Sequence, residues 1–572
     1  MGKNRLRRRR RLMSEDQLLT SKYSVTLTAP NHGINPYCPA ASDATDCETA
    51  LQIGLFFDGT KNSRESDAGI FKDSNIARLA SIYPIERNLG LVNFYINGVG
   101  TRFAEIAEMD ESKFGSAFGR GGYARIIFGI LALINALSIK GTGAVTYTAE
   151  QIQGLCSNKR SDKVQSALEL LGRDRGLMDY EDDDTARENF FFEQVKILEE
   201  KLAASKVKLK ECILDVFGFS RGAAQARVFC SWIERLTIDD KLAGVPLTIR
   251  FLGIFDTVAS AGMMGSVGST IVNSTRGHSG WARAKYLRIS PKIKNCVHLV
   301  AMHEIRKNFP LDEVSVAGIL PSNCREFAYP GSHSDVGGGY APGELGLACG
   351  DDPATVDAQK LSQIPLRHMM QCAIAAGVPL RPSTEGRFAI APELEKAFQT
   401  FLSISGGSPR MLSEWMAPYM AWRWQVRGRY DQLGHVSRAK ADQKFLVESN
   451  QQLITDAGRM RFRGDEELAR RFVHTARSTK RFDLMHPEYR QEELASFDPE
   501  APGVLAAASA AAPVNPELAA FFDTYVHDSL AGFRKDYVEN TGYWRHRRCF
   551  RGSENPELTQ NDAEPSTTAR TA

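Results

Sequence analysis

The sequence lacks several features that mark whole classes of protein. Its 10 cysteines in 572 residues include no CxxC pair, and their spacing fits neither a disulfide framework nor a zinc site. A strong excess of one sign of charge is also missing, because 71 Lys and Arg are balanced by 68 Asp and Glu, which leaves a net charge of +3. We therefore expect synthesis in a reduced cytoplasm, no metal or other cofactor, and no nucleic-acid partner.

Long hydrophobic runs are missing as well. The basic start, with Arg5 and the arginines at 7–11, is not followed by the apolar segment of a secretory signal. We interpret this start as a solvated tail, with attraction to anionic lipid or nucleic acid as the alternative. The longest apolar stretch, residues 126–139, is too short for a bilayer of ~30 Å. It predicts a buried helix, and the protein is expected to be made in the cytoplasm without a signal peptide.

What is present is an alternation of strand and helix patterns. Apolar runs at 51–57, 92–96, 213–217 and 247–255 predict strands, while 75–81, 123–139 and 222–235 predict helices. Such alternation indicates an α/β fold with a mostly parallel sheet and helices on both faces.

Composition predicts four segments. They are a flexible N-terminal segment (1–48), an α/β domain (49–350) with a helical insertion at about 150–208, a mainly helical region (351–553) and a disordered tail (554–572). The helical region is a candidate for contact with a membrane or a partner. Within it, an Ala- and Pro-rich tract at 499–516 is interpreted as a linker or a loosely packed segment.

The most informative motif is Gly-Phe-Ser-Arg-Gly at 218–222. The motif alone occurs easily by chance, but here an apolar strand precedes it and a helix opening with small residues follows. A sharp strand-to-helix turn places Ser220 at a helix N-terminus, where N–H groups favour developing negative charge. Since this strand–turn–helix setting carries the nucleophile of α/β-hydrolases, we predict that segment 49–350 is an α/β-hydrolase catalytic domain with an α/β-hydrolase-like sheet. Ser220 is predicted to be its nucleophile rather than an ordinary turn serine.

A nucleophilic serine needs a histidine base and an orienting acid, and in α/β-hydrolases the acid precedes the histidine. Asp256 ends the next predicted strand, and His333 lies in a glycine-rich loop further on. They are predicted as the orienting acid and the base. Alternatives remain open: His298, His303 and His527 for the base, and Asp335 and Glu304 for the acid.

An oxyanion hole needs two backbone N–H groups, which we assign to Arg221 and Gly59. Asp58 is given a structural role, because its carboxylate would repel an oxyanion. A metal site built from Asp58, His333 and Asp335 is the alternative, although no ligand spacing requires it.

Five blocks together resemble one family, the first family of antibacterial lipase effectors of the type VI secretion system. The blocks are Phe-Asp-Gly-Thr-Lys-Asn at 57–62, Tyr-Ile-Asn-Gly-Val-Gly-Thr at 95–101, the motif at 218–222 with Ala223, Phe-Asp-Thr-Val at 255–258, and the glycine-rich loop at 330–340. They span about residues 50–345. More loosely, residues 525–529 and 542–545 also resemble such effectors.

The resemblance implies phospholipase A activity on membrane phospholipids. It also implies delivery on the secretion spike protein VgrG, action in the periplasm of a recipient cell, and a periplasmic immunity protein that protects kin. The apolar loop at 259–268 either lines an acyl pocket or packs on the core. Two rival functions remain: an esterase or thioesterase for non-lipid substrates, and a non-catalytic module that docks a secretion partner.

Overall fold

The computed structural model describes most of the chain. The described residues are 22–25, 34–37, 48–109, 116–158, 160–179, 183–259, 280–316, 318–406, 408–461, 500–533 and 543–550. The predicted basic tail, the predicted disordered tail and all but the first residue of the 259–268 loop lie outside them.

A mostly parallel sheet forms the centre of the protein. Its strands are β1 (Glu48–Phe57), β2 (Leu91–Ile96), β3 (Lys208–Phe219), β4 (Lys241–Leu242), β5 (Val245–Phe255), β6 (Asn295–Ala301) and β8 (Cys324–Tyr329). Six run parallel in the order β2-β1-β3-β5-β6-β8, and the short β4 pairs antiparallel with β5. A separate pair joins β7 (Leu311–Asp312) to β9 (Cys549–Phe550). The predicted α/β class is confirmed.

Both faces of the sheet are buried, which explains why its strands read as continuous apolar runs. Successive side chains of a strand point to opposite faces. Leu55 on β1 therefore enters one hydrophobic core, and its neighbour Phe56 enters the other, where it stacks on Phe217 of β3 with ring centroids 4.9 Å apart.

Helices supply both layers. Ser116–Thr142 and Arg221–Arg235 pack on one face, and Asn75–Ile82 and Gln363–Ala375 pack on the other. The other α-helices among the described residues are Arg64–Asp67, Ala149–Cys156, Asp162–Glu169, Asp184–Ala204, Ala284–Leu287, His333–Gly337, Pro353–Asp357, Pro392–Ser405, Leu412–Val426, Gly434–Arg438, Gln443–Arg461, Ala501–Ala510, Pro516–Tyr525 and Ser529–Phe533.

The apolar stretch at 126–139 lies inside the 27-residue helix Ser116–Thr142. Within the described part of the chain, one helix segment, Gly121–Thr142, is long and apolar enough to cross a membrane, and most of it is buried in the protein. The side chains of Ile126, Ile127 and Leu131 are fully buried. The prediction of a buried helix is confirmed.

The tract at 499–516 is predicted to be a linker or a loosely packed segment, and for residues 501–510 that prediction is wrong. Its first part forms the helix Ala501–Ala510, whose residues Val504, Leu505 and Ala508 are buried against the helix Leu412–Val426. Alanine has the highest helix propensity, and proline is tolerated in a first helical turn. A composition typical of a linker therefore also suits a close-packed helix.

Candidate active site

Ser220 stands at the turn between β3 and the helix Arg221–Arg235. Its backbone has a positive φ of 58° with ψ −124°, a conformation that L-residues with a side chain rarely adopt. Two hydrogen bonds fix it there: Ser220 N–H donates to Phe255 O at 3.0 Å, and Val258 N–H donates to Ser220 O at 3.3 Å. The turn is thus tied to the end of the adjacent strand β5.

The glycines that flank the turn are required by close packing. A Cβ atom on Gly222 would lie 2.2 Å from Phe57 O and 2.4 Å from Asp58 O, and one on Gly218 would lie 2.5 Å from Gly222 O. Since these neighbours are backbone atoms, they cannot rotate away. Gly222 is therefore required where the helix start packs on the end of β1, and Gly218 is required where the turn packs on the helix start.

His333 and Asp256 form a buried hydrogen-bonded pair. His333 Nδ1 donates to Asp256 Oδ2 at 2.5 Å, and Asp256 is fully buried while His333 is 4% exposed. The backbone N–H of Ala301 holds the other oxygen of Asp256 at 2.8 Å. Asp256 itself has a positive φ of 41° directly after β5, so its side chain is placed at the same edge of the sheet as Ser220.

The imidazole ring of His333 lies beside the turn that carries Ser220. Its centroid is 4.6 Å from that of Phe219, the residue before Ser220, and 5.0 Å from that of Phe309. Because Nδ1 is bonded to Asp256, Nε2 is the ring nitrogen that remains for proton transfer. The structure thus brings Ser220, His333 and Asp256 to one edge of the sheet.

Burial and charge set the protonation states of this pair. Burial lowers the pKa of His333, although its hydrogen bond to Asp256 opposes this. Burial alone would raise the pKa of Asp256, but the charge of Arg547 and the hydrogen bond from His333 outweigh it and hold this pKa well below its usual range. The pair is therefore a neutral imidazole beside a carboxylate at neutral pH.

The alternative histidines have other partners. His298 donates from Nδ1 to Glu326 at 2.6 Å, and its Nε2 lies 3.1 Å from the backbone nitrogen of Thr257. His303 Nδ1 accepts from Gly331 N–H at 2.9 Å. His527 Nδ1 lies 2.5 Å from Asp335 Oδ1.

The alternative acids are likewise engaged away from the Nδ1 of His333. Asp335 holds His527 and accepts from the hydroxyl of Ser332 at 3.0 Å. Glu304 pairs with Arg306 at 2.9 Å and accepts the backbone N–H of His333 at 3.2 Å. Glu304 therefore supports the main chain under His333 rather than its ring.

The backbone N–H groups of the two predicted oxyanion-hole residues have different surroundings. Arg221 opens the helix after Ser220, where the first N–H groups point out of the helix end. Its side-chain Nε donates to the hydroxyl of Thr60. The N–H of Gly59, in contrast, donates to Asp58 Oδ1 at 2.6 Å. Gly59 would have to release Asp58 before it could hold an oxyanion.

Asp58 is buried in a network of its own. Besides Gly59 it accepts the hydroxyl of Ser74, at 2.6 Å to Oδ1, and the hydroxyl of Tyr95. Burial raises the pKa of Asp58 to about 7. In the described part of the chain, no three His, Cys, Asp or Glu side chains are arranged to hold a metal ion. Asp58, His333 and Asp335 each bind a different protein partner.

One residue of the site was missed by the sequence reasoning. Arg547 donates from Nη1 to Asp256 Oδ1 at 2.6 Å and from Nη2 to Asp256 Oδ2 at 2.7 Å. It lies 291 positions from Asp256 in the chain. The loosely family-like residues at 542–545 stand just before it, and they were the only signal in the sequence that pointed to this segment.

The comparisons with known proteins agree with the sequence motifs. Residues 239–372 match the family described as the catalytic domain of Tle1-like phospholipase effectors of the type VI secretion system (T6SS). This stretch includes Asp256 and His333 and begins after Ser220. No curated protein sequence matches the chain.

Two solved structures are similar to differing degrees. A crystal structure of an uncharacterized protein from Pseudomonas aeruginosa superposes with a TM-score of 0.62 at 26% identity, covering 89% of this chain and 80% of that one. The Tle1 effector bound to the VgrG spike superposes with a TM-score of only 0.33 at 19% identity, covering 66% and 84%. The family whose model matches residues 239–372 is the one that the sequence motifs indicated.

Proposed function

We propose that this protein is a serine hydrolase of the phospholipase A type, with Ser220 as nucleophile, His333 as base and Asp256 as orienting acid. The observation that carries the proposal is the 2.5 Å hydrogen bond between His333 Nδ1 and Asp256 Oδ2 beside a serine held at positive φ. A buried imidazole in this tautomer directs Nε2 away from the acid, as general-base catalysis by a serine triad requires.

In the first half of the reaction, His333 Nε2 takes the proton of Ser220 as Oγ attacks the ester carbonyl. The carbonyl oxygen becomes an oxyanion, which the backbone N–H of Arg221 at the helix start stabilises. Gly59 is the proposed second donor once its N–H leaves Asp58. The protonated His333 then gives its proton to the departing oxygen, so the lysolipid leaves as an alcohol and the acyl group stays on Ser220.

In the second half, water replaces the lysolipid. His333, neutral again, removes a proton from this water, which attacks the acyl carbonyl and releases a free fatty acid. The proton on His333 returns to Ser220 Oγ. Asp256 stays ionised throughout, because the pKa of its carboxyl is held well below its usual range, and it stabilises the imidazolium formed in each half.

The biological role is proposed from the family. Its description names both a phospholipase and the T6SS, which favours a membrane phospholipid as substrate and delivery as an antibacterial effector. In that role the protein is made in the cytoplasm, binds the VgrG spike, acts on the recipient membrane from the periplasm and is neutralised in kin by a periplasmic immunity protein.

The test uses a phospholipid that carries different acyl chains at its two ester positions. The wild-type protein should release fatty acid from vesicles of this lipid, and the chain released identifies the position cleaved. Ser220→Ala should abolish release while leaving the circular dichroism spectrum unchanged. Ser403→Ala, at an exposed serine of the helix Pro392–Ser405, is the matched control. Release by Ser220→Ala at the wild-type rate would refute the assignment.

The same preparations separate lipid from non-lipid substrates. A phospholipase should hydrolyse vesicle phospholipid with a higher kcat/KM than a soluble short-chain ester or thioester. The reverse order would favour the esterase or thioesterase alternative, with the same three residues.

A further inference from the structure

The C-terminal segment 543–550 brings a buried arginine to the acid of the active site. Both terminal nitrogens of Arg547 bind Asp256, one to each carboxylate oxygen, at 2.6 and 2.7 Å. Only 1% of the Arg547 side chain is exposed. Such a two-point pair fixes the plane of a carboxylate as well as its charge.

The segment is held in place on both sides of Arg547. On one side, the indole of Trp544 donates to Leu453 O at 3.0 Å. On the other side, β9 pairs with β7, which directly follows Phe309 and Pro310. Arg547 also donates from Nε to Phe309 O at 2.9 Å. The Phe309 ring packs against the ring of His333. Arg547 therefore binds Asp256 directly and also binds the residue that packs on His333.

We propose that Arg547 is a positioning residue of the active site: supplied by the C-terminal segment, it orients the Asp256 carboxylate toward His333 and moderates its attraction for the imidazolium. This inference rests on the proposed function, in which His333 and Asp256 act on Ser220. It extends that function by making the site complete only when residues 543–550 are docked.

Charge accounting explains the moderating effect. Asp256 shares its negative charge between Arg547 and His333. Among the described residues, the other charged groups that act on His333 are Glu304 and Arg306, which pair with each other at 2.9 Å, so their opposite effects largely cancel. When His333 takes a proton, the imidazolium and the guanidinium of Arg547 are therefore two positive charges that share the one carboxylate of Asp256. Removing Arg547 should make protonated His333 easier to form.

The experiment measures kcat and kcat/KM against pH with a soluble ester for the wild type, Arg547→Gln and Arg547→Lys. Arg547→Gln should lower kcat at the optimum by about tenfold or more and move the acid limb of the profile to higher pH by about 1 unit. Arg547→Lys keeps the charge without the two-point contact, so it should keep the acid limb near its wild-type position with a reduced kcat. Arg548→Gln, at the exposed neighbour, should change neither quantity.

A double-mutant comparison excludes a merely structural role. If Arg547 acts through Asp256, then Arg547→Gln should reduce activity less than about threefold when added to Asp256→Asn. Two results would overturn the inference. One is a loss of activity in the double mutant equal to the product of the two single-mutant losses. The other is an Arg547→Gln profile in which activity falls by the same factor at every pH. If Arg547→Gln does not fold, the Arg547→Lys profile and its Asp256→Asn combination decide the question. Should Ser220→Ala retain activity, the proposed function fails. Should Ser220→Ala be inactive while Arg547 variants keep the wild-type profile, only this inference fails.

Discussion

His333 is buried between two aromatic rings, and this burial lowers the pKa of its imidazole from the ordinary value of 6.5. In the proposed mechanism His333 acts as base only when it is neutral, so kcat/KM should rise with pH through the pKa of His333 in the free enzyme. We predict that this midpoint lies below pH 6.5 and that activity persists in mildly acidic buffer. A pH profile with a soluble ester checks this, and a midpoint at or above pH 6.5 would contradict it.

At this scale the sequence predicted the residues whose signals are local. Ser220 has a flanking motif, and Asp256 and His333 follow it in the order that α/β-hydrolases use; their roles stay predictions until tested. Arg547 had no such signal, because it lies 291 positions from Asp256 in the sequence and meets it only in the folded protein. Side-chain pairs that are distant in sequence cannot be read from composition or spacing.

The turn that carries Ser220 needs a glycine at each end for steric reasons. Gly222→Ala would place a Cβ atom within 2.4 Å of two backbone oxygens, closer than van der Waals contact permits. We predict a loss of unfolding free energy of about 2 kcal/mol, together with loss of hydrolysis, because the end of β1 must move. Urea denaturation measures the first and ester hydrolysis the second.

The control for this substitution is another helical glycine. Gly503 lies in the helix Ala501–Ala510, and a Cβ atom there would meet nothing within 4 Å. Gly503→Ala should leave activity unchanged and stabilise the protein by up to about 1 kcal/mol, since alanine favours the helix. An equal loss of stability in both variants would show that close packing at Gly222 is not the cause.

Element types were easier to predict than element ends. The strand predicted at 213–217 is real, but β3 begins earlier, at Lys208, where exposed and half-buried side chains alternate. Only the buried second half of the strand reads as an apolar run. The helix at 501–510 was missed because its small residues give no clear apolar periodicity, although the helix is partly buried.

The helical region after residue 350 shares a core with the sheet. Side chains from Leu412–Val426 and Pro516–Tyr525 belong to the same hydrophobic cluster as Phe56 and Phe217. His527 and Ser529 add polar contacts, to Asp335 at 2.5 Å and to Glu304 at 3.0 Å. The boundary predicted at 350 thus marks a change of composition, whereas packing continues across it.

This shared core has a consequence for stability. We predict that the described helical region and the sheet unfold together, as one calorimetric transition. Weakening a contact between them, for example by His527→Ala, should lower the midpoint of that single transition. Two separate transitions, with only one of them moved by His527→Ala, would show that the regions are independent units.

The central claim for the whole molecule is that its fold assembles a reactive serine at position 220. The most direct measurement is intact-mass analysis after exposure to a fluorophosphonate, which reacts with activated serines. We predict one adduct on the wild-type protein, mapped by peptide sequencing to Ser220, much slower labelling of His333→Asn, and none of Ser220→Ala. A wild-type protein that stays unlabelled, or an adduct that persists in Ser220→Ala, would contradict the account and favour a non-catalytic docking module.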